Sequence, residues 1–335
     1  MFSKKNLPLF LNYLNIESIS PITGDGGHRT YYRVTNQDKS YVLMYDVEVK
    51  NRYKINQKHD FSFVNVHSLL EQNNISVPSI NKIFKEESCI LLEDLGNFNL
   101  YNIKNNTKNT CKDGFKDITL KLYKQSIDEL IKIQSIKKDS SLTVFKKSFD
   151  VDFLMKELTQ SLIAINNFYF PKNKIASLSK TLTKEITEFC NFLSQSSFCL
   201  VHRDYHSRNI MFKNKQIKII DFQDARLGHP LYDLSSLLED PYAKLDLNTK
   251  NDLKKYFQKQ SSSLLLNNFD IHYFGISIHR LLKAAASFIN LSSNDNNKVH
   301  DYLIDLPYAV KQSYDYIMKL KYPELQIFIK KLCNK

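Results

Sequence analysis

Between Val201 and Asp224 the chain reads VHRDYHSRNIMFKNKQIKIIDFQD, and three of its side chains carry oxygen in a pattern suited to phosphate chemistry. Asp204 closes the triplet His202-Arg203-Asp204, Asn209 follows five residues later, and Asp221 stands at the end of an apolar run. Moving a phosphoryl group onto a hydroxyl requires a carboxylate beside that hydroxyl, to orient it and take its proton. It also requires hard oxygen ligands for Mg²⁺, which bridges the phosphates. Asp204 is the candidate base, and Asn209 and Asp221 are the candidate metal ligands. Two acids and one amide suffice, because such catalysis is mostly positioning and charge neutralisation. His202 and Arg203 are expected to brace the loop rather than react.

These side chains need a rigid carrier, and the residues between them provide one. Ile210–Phe212 is apolar, Lys213-Asn214-Lys215 makes a turn, and Gln216–Ile220 alternates before Asp221, which predicts a hairpin. H-R-D-x-x-x-x-N followed by a hairpin and an acid is similar to the catalytic layout of the protein-kinase-like phosphotransferases. Other chemistries fit less well. His202 and His206 form an H-x-x-x-H pair without the glutamate of a zinc protease helix. Cys199 precedes them by a few residues, but a cysteine ending the apolar run Phe198–Val201 reads as a small buried hydrophobe, not a triad nucleophile.

A chain of 335 residues is long enough for about two lobes of ordinary size, and 42% hydrophobic and 12% aromatic residues supply a core for them. No run approaches the ~20 apolar residues of a membrane span. The opening residues are interrupted by Pro8 and Asn12, so 7–16 is expected to be an amphipathic helix, not a signal peptide. Five scattered cysteines (89, 111, 190, 199 and 333) without C-x-x-C pairs suit reduced thiols in a cytoplasm. The net charge of +12 permits a nucleic-acid or membrane-surface role, but the lysines stand singly or in pairs, as on solvated faces. No nucleic-acid partner is expected.

Three of the seven glycines, Gly24, Gly26 and Gly27, fall within four residues, between a strand ahead of them and a strand through Arg29–Val34. A glycine-rich turn there exposes backbone N–H groups to a triphosphate. The return strand, Ser40–Val47, has Met44 or a neighbour where protein kinases place a phosphate-gripping lysine; Arg29, Arg33 and Lys50 are the cations able to replace it. A helix carries Phe61, Val64, Val66, Leu69 and Leu70, and a strand begins at Val77-Pro78. The apolar strand from Cys89 runs into Glu93-Asp94-Leu95, where kinase-like folds have the hinge whose backbone reads adenine. The expected fold is α+β and bilobal, protein-kinase-like, with a small β-rich N-lobe over 1–94 and a larger, mostly helical C-lobe over 95–335.

In that second part, Asn102–Cys111 is polar and asparagine-rich, and reads as a loop or frayed segment. Helices are predicted over Leu120–Gln134, Phe149–Leu162 (capped by Asp150 or Asp152), Asn251–Gln260, Tyr273–Ile289, Tyr302–Lys319 and Pro323–Leu332, and Lys184–Leu193 leads into the catalytic stretch. Asp233, at the start of a further helix, either caps that helix or reaches back to the HRD loop.

Over nearly its whole length the chain resembles the aminoglycoside-phosphotransferase (APH) type of small-molecule kinase, and within it the bacterial anomeric kinases of N-acetylmuramate and N-acetylglucosamine. The likeness rests on Arg29–Val34, LLEDLG at Leu91–Gly96, Phe149-Asp150 with Leu154 and Glu157, and HRDYHSRNIM at His202–Met211. It extends through DFQDARLGHPLYDLSSLLEDPY at Asp221–Tyr242, His279–Lys283 with Phe288, and Tyr302–Pro307. The chain departs from that pattern at Asp46-Val47-Glu48 and Gly228-His229-Pro230. The resemblance implies ATP and Mg²⁺, and phosphate placed on the anomeric hydroxyl of an amino sugar for cell-wall recycling. It implies a cytoplasmic enzyme, read as a monomer, whose partners are a sugar and ATP. Gln223, Asp224 and Arg280 become candidates for the sugar's hydroxyls, amide or lactyl carboxylate; a planar guanidinium fork suits the last.

Two other readings stay open at this point. A kinase of the same fold could act on an aminoglycoside, a choline-like alcohol or a lipopolysaccharide sugar, and a cationic acceptor would favour an acidic pocket. A catalytically dead nucleotide-binding module would explain the absent strand lysine, but not the intact Asp204, Asn209 and Asp221.

Overall fold

The strand expected through Arg29–Val34 and the return strand from Ser40 do pair, antiparallel, with Thr30 opposite Tyr45 and Thr35 opposite Ser40. The computed structural model describes residues 11, 15–22, 29–37, 39–52, 61–108, 113–195, 198–261, 268–294 and 299–334. The glycines Gly24, Gly26 and Gly27, and nearly all of the expected first helix, lie outside them.

In chain order the first strands and helices are β1 (Ser18–Ile22), β2 (Thr30–Thr35), β3 (Ser40–Tyr45), α1 (Glu48–Arg52), α2 (Ser62–Gln72), β4 (Ile80–Phe84) and β5 (Cys89–Glu93). The strands form one antiparallel sheet in the order β1-β2-β3-β5-β4. Tyr32 and Val34 on β2, Leu43 on β3 and Leu91 on β5 bury together with Phe84, Cys89 and Leu11, the period-2 signature of a half-covered sheet. The return strand stops at Tyr45, two residues short of the expected Val47, because the chain turns into α1 at Glu48. Met44 is fully buried opposite Tyr31.

There follow α3 (Leu100–Lys108), α4 (Asp113–Gln134), α5 (Val151–Tyr169), α6 (Lys180–Ser194), β6 (Cys199–Val201), β7 (Ile210–Lys213), β8 (Gln216–Ile219) and β9 (Arg226–Gly228). The chain ends with α7 (Leu231–Leu238), α8 (Leu247–Gln260), α9 (Phe269–Asn294), α10 (Val299–Leu303), α11 (Leu306–Ile317) and α12 (Pro323–Cys333). By compactness the chain divides into two units. One holds residues up to Phe98 together with Met211–Gln223; the other holds Asn99–Ile210 with Asp224–Lys335. The hairpin after the HRD loop therefore groups with the first unit.

Two expectations are corrected here. Residues 102–108 of the polar stretch read as a loop or frayed segment belong to helix α3, started by Asn99, whose side-chain oxygen accepts from the Asn102 N–H at 2.8 Å. A capping asparagine satisfies an orphan N–H that composition alone does not reveal. The helix expected over Tyr302–Lys319 is two, α10 and α11, because Pro307 stands in the first turn of α11 and cannot continue an earlier helix. Asp150 is the cap of α5, accepting from the Phe153 N–H at 2.9 Å. Within the second unit α9 packs against α5, α7 and α11. Among the described residues no helix is long and apolar enough to cross a membrane.

Candidate active site

The HRD segment leaves β6 and is fixed in the second unit mainly through its backbone. Asp233, in the first turn of α7 and fully buried, accepts from the His202 N–H at 2.6 Å and the Arg203 N–H at 3.0 Å. It thus reaches back to the loop, one of the two roles its position allowed. Burial pushes its carboxyl up to about 6, against the lowering pull of His202 and the two N–H groups. Arg203 sits at φ +85°, a left-handed conformation that costs a non-glycine residue of order 1–3 kcal/mol and is sustained only by such surroundings. Downstream, Ser207 donates to Asp240 through both its N–H (2.9 Å) and its hydroxyl (2.5 Å). The Tyr205 hydroxyl donates to Ser126 O at 2.7 Å.

Asp204 follows. Its N–H donates to His202 Nδ1 at 3.3 Å, and its carbonyl accepts from Asn209 Nδ2 at 3.0 Å. Its carboxylate Oδ1 meets the Lys283 ammonium at 2.9 Å and Arg280 Nη2 at 3.4 Å, both from α9. Burial raises the Asp204 carboxyl, but Lys283, Arg280 and His206 outweigh it and hold the group far below the usual carboxylate range. Arg280 also donates through Nε to Ser236 Oγ at 2.7 Å. Arg203 lies 3.5 Å from Glu157 and 3.6 Å from Asp224. The guanidiniums of Arg203 and Arg226 stand 6.0 and 4.6 Å from the Phe153 ring centre.

The second unit therefore brings together His202, Arg203, Asp204, Asn209, Asp224 and Arg280 of the residues expected from sequence. Lys283 joins them from the motif His279–Lys283. Its signal was the spacing Arg280-x-x-Lys283, which puts two cations on one helix face.

The first unit carries the others. Asp221 follows β8 at φ +67°, and Gln223 Nε2 donates to its Oδ1 at 2.8 Å. Phe222 between them packs on Phe63 of α2, ring centres 5.1 Å apart, and near His67. The hairpin before it turns on Asn214 and Lys215, both at positive φ, the geometry of a type I′ turn that keeps the strands in register. Gln223 thus stands with the candidate metal ligand, and Asp224 with Arg203.

Of the three candidate cations for the missing strand lysine, Arg33 donates to Asp94 (2.7 and 3.1 Å) and to Gly96 O. Lys50 pairs with Glu86 and is 56% exposed. Arg29 holds the buried Asp46 at 2.8 Å. Beside it, burial lifts the Tyr31 hydroxyl to about 12 in a field shared by Arg29, Asp221 and Asp46. At the end of β5, Glu93 is clamped by Lys213 (3.1 Å) and Lys218 (2.6 Å), and these bonds outweigh burial to lower its carboxyl. Asp94 is held the same way by Arg33, Ser40 and the Gly96 N–H. Gly96 makes that last bond at φ +75°, where a side chain is disfavoured. Among the described residues the Leu95 peptide groups bond to nothing.

The rival chemistries find no support in geometry. The Cys199 thiol donates to Gly228 O at 3.8 Å and is raised by burial, the opposite of an activated thiolate. Among the described residues no three His, Cys, Asp or Glu side chains cluster as a metal site.

Residues 116–257, from α4 through the HRD loop and into α8, match the model of the phosphotransferase enzyme family (APH). The N-acetylmuramate/N-acetylglucosamine kinase of Pseudomonas putida is 25% identical over 300 residues, which cover 87% of this chain and 80% of that protein. The choline kinase LicA of Streptococcus pneumoniae superposes with a TM-score of 0.61 at 13% identity, over 92% of this chain and 97% of that one. Spectinomycin phosphotransferase APH(9)-Ia, solved with ADP and spectinomycin, gives 0.59 at 15%, over 94% and 98%. With its five-stranded sheet, its helical second unit and a stretch similar to the phosphotransferase enzyme family over residues 116–257, the chain is a kinase of the protein-kinase-like fold that takes a hydroxyl as acceptor.

Proposed function

We propose that this kinase uses ATP and Mg²⁺ to phosphorylate the anomeric hydroxyl of an N-acetylated amino sugar, N-acetylmuramate or N-acetylglucosamine. The observation that carries the reading is the Asp204 carboxylate, kept ionised by Lys283 and Arg280 in the loop of a chain whose 25%-identical relative bears that name. An ionised carboxylate accepts the hydroxyl's hydrogen bond, aims its oxygen, and takes the proton as the bond to phosphorus forms. His202 and Arg203 serve this through the loop backbone that Asp233 holds.

The donor set suits Mg²⁺. Asn209, whose Nδ2 donates to the Asp204 carbonyl, carries an amide oxygen, and Asp221 carries a carboxylate; both are hard oxygens. When bound, Mg²⁺ neutralises charge on the phosphates. The Leu95 peptide is our candidate for pairing with adenine, since its neighbours' carboxylates are taken up by lysines and an arginine. Arg29, backed by Asp46, is our candidate for the phosphate-binding cation. Gln223, Asp224 and Arg280 are our candidates for hydrogen bonds to the sugar.

The test is ATP consumption with Mg²⁺ against N-acetylmuramate, N-acetylglucosamine, glucosamine, choline and kanamycin, with phosphorus NMR of the product. A sugar 1-phosphate from the N-acetylated sugars alone is the expected result. Turnover on choline or kanamycin instead would refute the acceptor while keeping the family chemistry.

A further inference from the structure

The two oxygens of Asp204 are not equivalent. Oδ1 receives both Lys283 at 2.9 Å and Arg280 at 3.4 Å, while Oδ2 accepts no hydrogen bond among the described residues. The loop bonds fix only the residue's backbone: its N–H goes to His202, and its carbonyl accepts from His206 N–H and Asn209. None of these sets the rotation of the carboxylate. The cations do.

They differ in what holds them. Arg280 is tied to Ser236 as well, so it stays in place without Asp204. The only hydrogen bond of Lys283 among the described residues is to Asp204, although its side chain is just 13% exposed. Burying an ammonium for one partner is a poor route to stability, since such pairs are often replaced by apolar residues at no net cost. Its geometry is better explained by what it does to the carboxylate. Lys283 sits one helical turn beyond Arg280 on the same face of α9, so a rigid helix delivers both.

We propose that Lys283 is a positioning residue of the transfer site: it fastens Oδ1 of Asp204 so that Oδ2 alone receives the acceptor hydroxyl. The inference rests on the reading of Asp204 as the residue that orients the acceptor. Without Lys283 the carboxylate turns about its bond, and either oxygen meets the acceptor at a poorer angle. Misplacement of about 1 Å costs roughly a hundredfold in rate.

The experiment compares the full-length protein with Lys283→Ala and Lys283→Arg for kcat, for KM of ATP and acceptor, and for ATP hydrolysis without acceptor, where water takes the acceptor's place on Asp204. Circular dichroism verifies that each variant is folded. The expected result is a loss of about a hundredfold in kcat for Lys283→Ala with little change in KM for ATP. Added methylammonium or ethylammonium, entering the space the side chain vacates, should restore part of that rate, and Lys283→Arg should retain much more activity than Lys283→Ala. A folded Lys283→Ala with wild-type kcat overturns the proposal. So does a loss that no amine restores and that Lys283→Arg shares. If the wild type turns over no sugar but hydrolyses ATP, the proposed acceptor fails while the hydrolysis series still decides on Lys283. A wild type inert in both assays overturns both.

Discussion

Asp204→Asn keeps the shape of the side chain and removes its charge, so it separates two consequences of one carboxylate. On the rate side, losing a general base lowers turnover by roughly 10²–10⁴-fold, or about 2.7–5.4 kcal/mol at about 1.36 kcal/mol per factor of ten. On the stability side, Lys283 and Arg280 are 13% and 10% exposed and lose the anion between them. Breaking a fully buried pair from one side costs about 3–5 kcal/mol. Asp204 is 28% exposed and the amide oxygen can still accept, which reduces the penalty to about 2–3 kcal/mol. For a domain of this size that lowers the melting temperature by roughly 4–12 °C. The assay pairs steady-state ADP release with thermal melts at low and high salt. Salt should recover part of the melting loss by screening the two cations from each other, and none of the turnover. Turnover within tenfold of wild type would remove Asp204 from its role. An unchanged melting temperature would refute the ion-pair argument.

Burial and the neighbouring His272 hold His229 at about 3, below its ordinary 6.5. The unfolded chain then takes up a proton first, so this residue contributes stability that is lost as pH falls from about 6.5 to about 3. The stability advantage of wild type over His229→Asn, measured by urea unfolding, should shrink by about 1.36 kcal/mol per pH unit in that window; parallel curves would refute it. Glu239 is buried and binds Lys250 at 2.5 Å and the Tyr273 and Tyr316 hydroxyls at 2.6 Å each. Glu239→Ala should cost more than about 3–5 kcal/mol, the range for orphaning one buried charge, and the double variant Glu239→Gln with Lys250→Met should recover much of it. A Cβ at Gly228 would lie 2.8 Å from both Phe149 Cδ2 and Val201 Cγ2. Gly228→Ala should therefore destabilise by about 1–3 kcal/mol in the same unfolding assay.

Local chemistry was legible in the sequence wherever a signal is carried by neighbours along the chain. The Lys213-Asn214-Lys215 turn, the period-2 strands β2 and β3 and the cap at Asp150 are fixed by residues within a few positions. The spacing of Asp204, Asn209 and Asp221 pointed to phosphoryl transfer for the same reason. Helix α3 was missed because its polar composition outweighed one capping asparagine, Asn99. The break between α10 and α11 was missed although Pro307 marked it.

What only the tertiary structure decided are the contacts between residues far apart in the chain. Lys283 and Arg280 reach Asp204 across 79 and 76 residues, and Asp233 reaches His202 across 31. In each case the side chain's role depends on which charge stands opposite it. The three cations near the missing strand lysine look alike in sequence. Arg33, Lys50 and Arg29 were told apart by their partners Asp94, Glu86 and Asp46. Residue type and spacing thus suggested the reaction, because a motif's chemistry is local. The packing of α7 and α9 set the state and orientation of its carboxylate, because electrostatics acts through space and not along the chain.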